Sequence, residues 1–361
     1  QVGSSVLKSG SLKRPISIPT IMAFKAGVAA LISVASAFEL PNLADLGMAA
    51  VLEFADEPIQ SKRSMQEGLP VVMMHGMGDF GNNPMGMVPL RKLIAQTANA
   101  YVHSVELCSD PTKLADCDTQ DQSNGFFMTM DAQVDQFARV VRADEKLSGG
   151  FNAVGFSQGN TVIRGYIHKY NNPPVKTFLS MHGVLMGVNG LPQCPMSVPG
   201  VGVLCRAVDA IVSHAGVYSS FVQNRLAQAN YYRDAENLRQ YRTHGHFLPY
   251  INNEIQGHQN ATYKKNFQSL DKLVLVMAED DTMVHPKESE HFGYFKDGSR
   301  TQLVAMRDAP WYTEDWFGLK SLDQAKKIEF HSTPGNHLRF KKEFLVEMVQ
   351  RYFVTESSVV V

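Results

Sequence analysis

The chain carries little that would hold it to nucleic acid, to a transition metal or across a membrane. Its 34 Lys and Arg stand against 35 Asp and Glu, a formal net charge of −1, so no broad basic field exists to recruit nucleic acid. Short basic runs such as Lys13-Arg14 and Lys264-Lys265 read as solvated surface. Cysteine is scarce, with only Cys108, Cys117, Cys194 and Cys205. Neither local pair has the CxxC spacing of a zinc site and no His lies at ligand spacing, so neither a metal nor a cofactor is expected. The apolar stretch from Ala26 to Ala35 is much shorter than the roughly 20 residues a membrane-spanning helix needs, so no transmembrane span is expected. Charged residues make up only 19% of the sequence against 44% hydrophobic, which excludes a mainly disordered chain and fits a globular one.

What is present begins with signs of export. Residues 1–21 are unassigned; they are disordered or lie upstream of a true start at Met22. Met22-Ala23-Phe24-Lys25, the apolar stretch and Ala35-Ser36-Ala37 supply the three parts of a secretory signal peptide over residues 22–37, with a short core helix as the alternative. Residues 38–68 form a polar N-terminal extension. Cys108 with Cys117 and Cys194 with Cys205 each close a small loop, which suits disulfides in an oxidising compartment, with buried free thiols as the alternative. Asn260-Ala261-Thr262 is an N-glycosylation sequon, meaningful only if the chain is exported.

From residue 69 to about residue 355 the pattern is that of one α/β domain. Val71 to Met74, Tyr101 to Leu107, Phe151 to Phe156, Val175 to Met181, Lys272 to Met277 and Lys327 to Phe330 read as short buried strands bounded by turn residues. Helical period runs between them, as in Met130 to Leu147 with Val134, Phe137, Val140 and Val141 on one face. Alternating strand and helix implies a mostly parallel sheet with helices on both faces. The rhythm breaks from about residue 183 to residue 270, where Pro, Gly and a helical segment near Ala215 to Ala229 read as an inserted lid subdomain.

Gly155-Phe156-Ser157-Gln158-Gly159 is a G-x-S-x-G sequence after a predicted strand and before a predicted helix. A nucleophile elbow requires that context, because the tight turn needs glycines for close backbone approach. A serine needs a base held by an acid, and in this arrangement the partners follow in the order Ser, Asp or Glu, His. Glu279-Asp280-Asp281 follows one predicted strand, and His331 to His337 follows another. Spacing leaves Asp280 and Asp281 unseparated, while His337, beyond a Pro-Gly loop, is better placed than His331. Two backbone N–H groups should hold the oxyanion: that of Gln158, and one from His75-Gly76-Met77-Gly78-Asp79, read as Met77.

These strings resemble the palmitoyl-protein thioesterase family from about Leu69 to about Phe353. The resemblance rests on His75-Gly76-Met77-Gly78-Asp79 with Asn83-Pro84, on the stretch from Gly150 to Gly159, on Gly190-Leu191-Pro192-Gln193-Cys194-Pro195, on Ala215-Gly216-Val217-Tyr218-Ser219 and on Asn260 to Asn266. It implies an α/β-hydrolase fold with a lid, catalytic Ser157, Asp281 and His337, a family disulfide at Cys194–Cys205 and a glycosylated Asn260. It further implies a lysosomal or extracellular enzyme that removes long-chain acyl groups from S-palmitoylated proteins or peptides, with acyl-CoA as a further substrate class, acting as a monomer or weak oligomer. Val184, Leu185, Met186, Leu204, Ile211, Val212 and Phe221 are the candidates for the acyl groove. The sequence departs from the family at Asn160, where a glycine is usual, at His182 to Gly187, where the family string is more polar, and at His285, which stands for an aspartate. A lipase or oxyester esterase, or a lipid-binding relative without activity, are the competing readings.

Overall fold

The computed structural model describes residues 68–109, 112, 114–190 and 216–354. The predicted signal peptide, nearly all of the extension, and Cys194, Leu204, Cys205, Ile211 and Val212 lie outside the described residues. Six strands form one parallel sheet: β1 (Val71–Met74), β2 (Val102–Val105), β3 (Phe151–Phe156), β4 (Val175–Met181), β5 (Lys272–Ala278) and, last, β8 (Ile328–Thr333). Their order is β2-β1-β3-β4-β5-β8. A separate antiparallel pair joins β6 (Tyr294–Phe295) to β7 (Leu303–Val304). Among the described residues the helices of eight residues or more are α1 (Met87–Ala98), α2 (Leu114–Phe127), α3 (Met130–Ala143), α4 (Gln158–Lys169), α5 (Ala261–Gln268) and α6 (Lys342–Phe353).

The inner strands are covered on both faces, which is why β1 and most of β5 read as unbroken apolar runs, whereas the edge strand β8 is only partly buried. Successive side chains alternate between faces. Val72 and Met74 join the cluster that holds Val134 and Phe137 of α3, Ile163 of α4 and Phe267 of α5. Val71 and Met73 join the cluster of Leu90 and Ile94 from α1 with Leu345 and Met348 from α6. This is the α/β-hydrolase arrangement expected above. In it ligands bind beyond the carboxyl ends of the strands, near the point where the strand order reverses, and Ser157 follows β3 there.

Two helical expectations are adjusted. The helix predicted over 130–147 stops at Ala143, because Asp144 is extended and its side chain accepts the Lys146 N–H to start a separate 3-10 turn. The segment around 215–229 is two short helices, Ser220–Gln223 and Ala227–Asn230. Side-chain amides take over there: Gln223 donates to the carbonyls of Val217 and Ala229, and Asn230 donates to that of Gln223.

One buried charge fastens the nucleophile helix to the loop after β4. Arg164 of α4 has no exposed surface. It donates to the Leu185 carbonyl, to Asn252 Oδ1 at 2.7 Å and to His168 Nε2 at 3.2 Å, and it lies over the ring of Phe317. Burial pulls its proton affinity down to about 9, yet it stays charged at neutral pH, and each acceptor depends on it. Arg164→Met is expected to strand the Leu185 and Asn252 oxygens in an apolar interior and to cost about 2–4 kcal/mol. The midpoint of urea unfolding checks this; an unchanged midpoint would contradict it.

Candidate active site

Ser157 stands at φ 53° and ψ −123°, a backbone conformation that costs energy for a residue with a side chain. The packing around it enforces the turn. A Cβ on Gly159 would lie 2.3 Å from the Met74 carbonyl oxygen, and one on Gly155 would lie 2.8 Å from the Asn160 nitrogen. Asn160 is accommodated because Gly155 and Gly183 leave room for it. Its amide donates to the carbonyls of Ser157 and Met181 at 3.1 and 2.9 Å, tying the elbow to the end of β4.

Loops from two further strand ends reach the serine. Ser157 Oγ donates to His337 Nε2 at 2.8 Å, and His337 Nδ1–H donates to Asp281 Oδ2 at 2.5 Å. Asp281 Oδ1 accepts the N–H groups of Met283 and Val284, each at 2.7 Å. Burial alone would raise the Asp281 carboxyl, but the hydrogen bond and charge of His337 outweigh it and hold the carboxyl down to about 2. Asp280 is exposed and meets the second loop only through its N–H, bonded to the Gly335 carbonyl. His331 lies within β8, with Nε2 at Tyr352 Oη. The two alternatives left open by spacing are therefore not at the serine. An ordered serine, imidazole and carboxylate can generate a nucleophile and pass its proton onward.

His182 is a site residue that sequence reasoning passed over. Its Nδ1 accepts the Leu338 N–H at 2.8 Å, so Nε2 carries the proton and donates to Thr333 Oγ1 at 2.8 Å. Those bonds fix Leu338, which sits at φ 53° directly after His337. Asn336 adds a second tie, with its Oδ1 accepting the N–H groups of Thr282 and His337. His182, Asp281 and His337 place ligand-type atoms within 4.8 Å of one another, but the lone pairs and protons of both imidazoles are already engaged as described, which leaves no ring nitrogen free for a cation. Cys108 and Cys117, grouped similarly with Glu106, are bonded to each other as the predicted disulfide.

A pocket beside Ser157 is lined by Met77, Val184, Val188, Gln228, Tyr231, Met283 and Val284. Of the acyl-groove candidates, Val184 is in that wall. Leu185 and Met186 are instead packed into the main core, and Phe221 packs against the small cluster of Val222, Leu226 and Ala229. Gln158 is buried behind the pocket, its amide donating to the Gly125 carbonyl and Gln133 Oε1 and its oxygen accepting from Gln228 and Tyr231. His75 is structural: Nε2 meets Asp121 Oδ1 and Nδ1 meets the Gly76 carbonyl, both at 2.9 Å. Burial would lower its affinity for a proton, but Asp121 reverses that and holds it up to about 9.

The burial of His182 has a consequence for stability. Burial, then the neighbouring His337, lower its affinity from the usual 6.5 to about 3, so the fold favours the neutral ring. That contribution is complete above pH 6.5 and is lost as pH falls toward 3, by up to about 1.4 kcal/mol per pH unit. His182→Gln, which can accept and donate the same bonds without titrating, is expected to lose less stability than wild type as pH falls from 6.5 toward about 4. Thermal melts across that range check this; parallel curves would contradict it.

Residues 70–337 match the family model described as Palmitoyl protein thioesterase. "Palmitoyl-protein thioesterase 1" of Caenorhabditis elegans is 37% identical over 81% of this chain and 94% of its own length. "Palmitoyl-protein thioesterase 3" of Dictyostelium discoideum is 34% identical over 74% of this chain and 84% of its own. "Lysosomal thioesterase PPT2-B" of Xenopus laevis is 31% identical over 52% of this chain and 62% of its own. The chain belongs to the palmitoyl protein thioesterase family and is a thioesterase-type hydrolase.

Proposed function

We propose that the chain hydrolyses long-chain fatty-acyl thioesters, above all palmitoyl groups on cysteines of S-acylated proteins or peptides, with acyl-CoA as a further substrate class. The observation that carries this reading is the unbroken hydrogen-bonded chain from Ser157 through His337 to Asp281, in a member of this family. Ser157 Oγ attacks the thioester carbonyl while His337 Nε2 takes its proton, and Asp281 holds the imidazole in the required tautomer. The thiolate leaves with the proton from His337, and water, deprotonated by the same nitrogen, then releases the fatty acid and frees Ser157.

The oxyanion falls between the N–H groups of Met77 and Gln158. Gln158 opens α4, where N–H groups lack intrahelical partners. For Met77 the support is peptide planarity. The Gly76 carbonyl is engaged by His75 Nδ1 and by the Asp79 N–H, and a trans peptide turns the Met77 N–H the opposite way. Met77, Val184, Val188, Met283 and Val284 give the acyl chain an apolar wall, and each buried methylene contributes about 0.8 kcal/mol. Among the described residues no helix is long and apolar enough to cross a membrane. A relative named as lysosomal, the disulfide and an exposed Asn260 at a sequon support a lysosomal or extracellular location with glycosylation there.

Thiol release from a palmitoyl-cysteine peptide, beside a matched oxyester, tests this reading. The thioester should be cleaved preferentially, and Ser157→Ala should lose about 10,000-fold or more in kcat. Turnover of the oxyester alone would overturn the substrate class, and an active Ser157→Ala would overturn the nucleophile.

A further inference from the structure

The chain beyond β5 folds a second carboxyl against Asp281. Glu290, in the 3-10 turn Lys287–His291, has no exposed surface. Its Oε2 accepts the Ala278 N–H at 2.8 Å, while Oε1 meets no donor. The Glu290 carboxyl lies within hydrogen-bond reach of the Asp281 carboxyl. Two carboxylates cannot share such a place with both charged. The allocation follows from the donors: three N–H groups converge on Asp281 and one on Glu290. Asp281 therefore keeps the charge. A proton on Glu290 also removes the one defect in the arrangement, a buried carboxylate oxygen with nothing to accept.

We propose that Glu290 is held protonated at neutral pH and donates its carboxyl hydrogen to Asp281, as a positioning residue for the Ser157–His337–Asp281 relay. The inference rests on the reading of that relay given above. Burial first, and contact with Asp281 second, push the Glu290 carboxyl far above the usual carboxylate range. The ionisable groups around the pair are Asp281, Glu288 on the same turn, His337 across Asp281, and His182 beyond them. The donated hydrogen fixes the orientation of Asp281 and draws off part of its negative charge. Asp281 then stabilises a protonated His337 less strongly, so His337 Nε2 stays open to Ser157 at lower pH. Removing the donor should move the acid limb of the pH profile upward. Removing an ionised glutamate would move it downward, because a negative neighbour favours imidazolium.

The test measures kcat/KM for thioester hydrolysis against pH in wild type, E290L, E290Q and D281N, together with infrared spectra of wild type and E290Q. E290L is expected to shift the acid limb upward by about 0.5 pH units or more. E290Q, whose amide can donate the same hydrogen bond, should return the limb toward the wild-type position. A protonated-carboxyl stretch present in wild type at neutral pH should disappear in E290Q. A limb that moves downward in E290Q, or spectra without that band, overturns the proposal, and both readouts stand if E290L fails to fold. If D281N retains full activity, the relay is wrong and the proposal falls with it. If D281N is inactive while E290L titrates as wild type does, the relay stands and only the role of Glu290 is overturned.

Discussion

Everything at this site depends on one crowded crossing of backbones, where the turn after β3 passes against the end of β1. Ser157 can hold φ 53° because its surroundings leave the chain no other path. Gly159 has the Met74 and His75 carbonyl oxygens where a side chain would be, and Gly76 brings the next loop to within contact of Ser157 itself. The strain is local and is sustained by β1 and β3, which are buried along their whole length. In return the serine hydroxyl stands at a helix N-terminus, clear of its own strand and open to groups arriving from β5 and β8.

Those groups arrive on loops, and loops need separate restraint. Polar side chains supply it. His182 holds the backbone just after His337, Asn336 ties the His337 loop to Thr282, and Asn160 ties the elbow to Met181. Glu290 restrains Asp281 from behind. The imidazole of His75, charged by Asp121, sits under the remaining loop and fixes the Gly76 carbonyl. The site is thus a few chemically active atoms in a shell of buried hydrogen bonds. Disturbing that shell should alter geometry and proton affinity before it removes any reacting group.

Much of this was legible in the sequence. Apolar runs mark β1 and β5 because inner strands covered on both faces demand them, and the elbow is marked by glycines that the close approach requires. Motif and chain order point to Ser157 and favour His337, only the family resemblance separates Asp281 from Asp280, and the structure brings the three within hydrogen-bond distance. Other features were hidden for physical reasons. Val184, Leu185 and Met186 form one apolar run, yet only the first faces the pocket; periodicity cannot separate a groove wall from core when all three are buried. Lys287-Glu288-Ser289-Glu290 is a polar run with no motif, and its fold-back against β5 buries Glu290. His182 follows β4 as an isolated histidine, and its partners lie 151 and 156 residues further along the chain.

The central claim is that Ser157 is a nucleophile made reactive by His337. Reaction with a fluorophosphonate, followed by proteolysis and mass spectrometry of the adduct, tests it most directly. A single adduct is expected on the peptide that carries Ser157, formed by wild type and lost when His337 is replaced by alanine. Absence of an adduct in folded wild-type protein, or an adduct on a different residue, would contradict it.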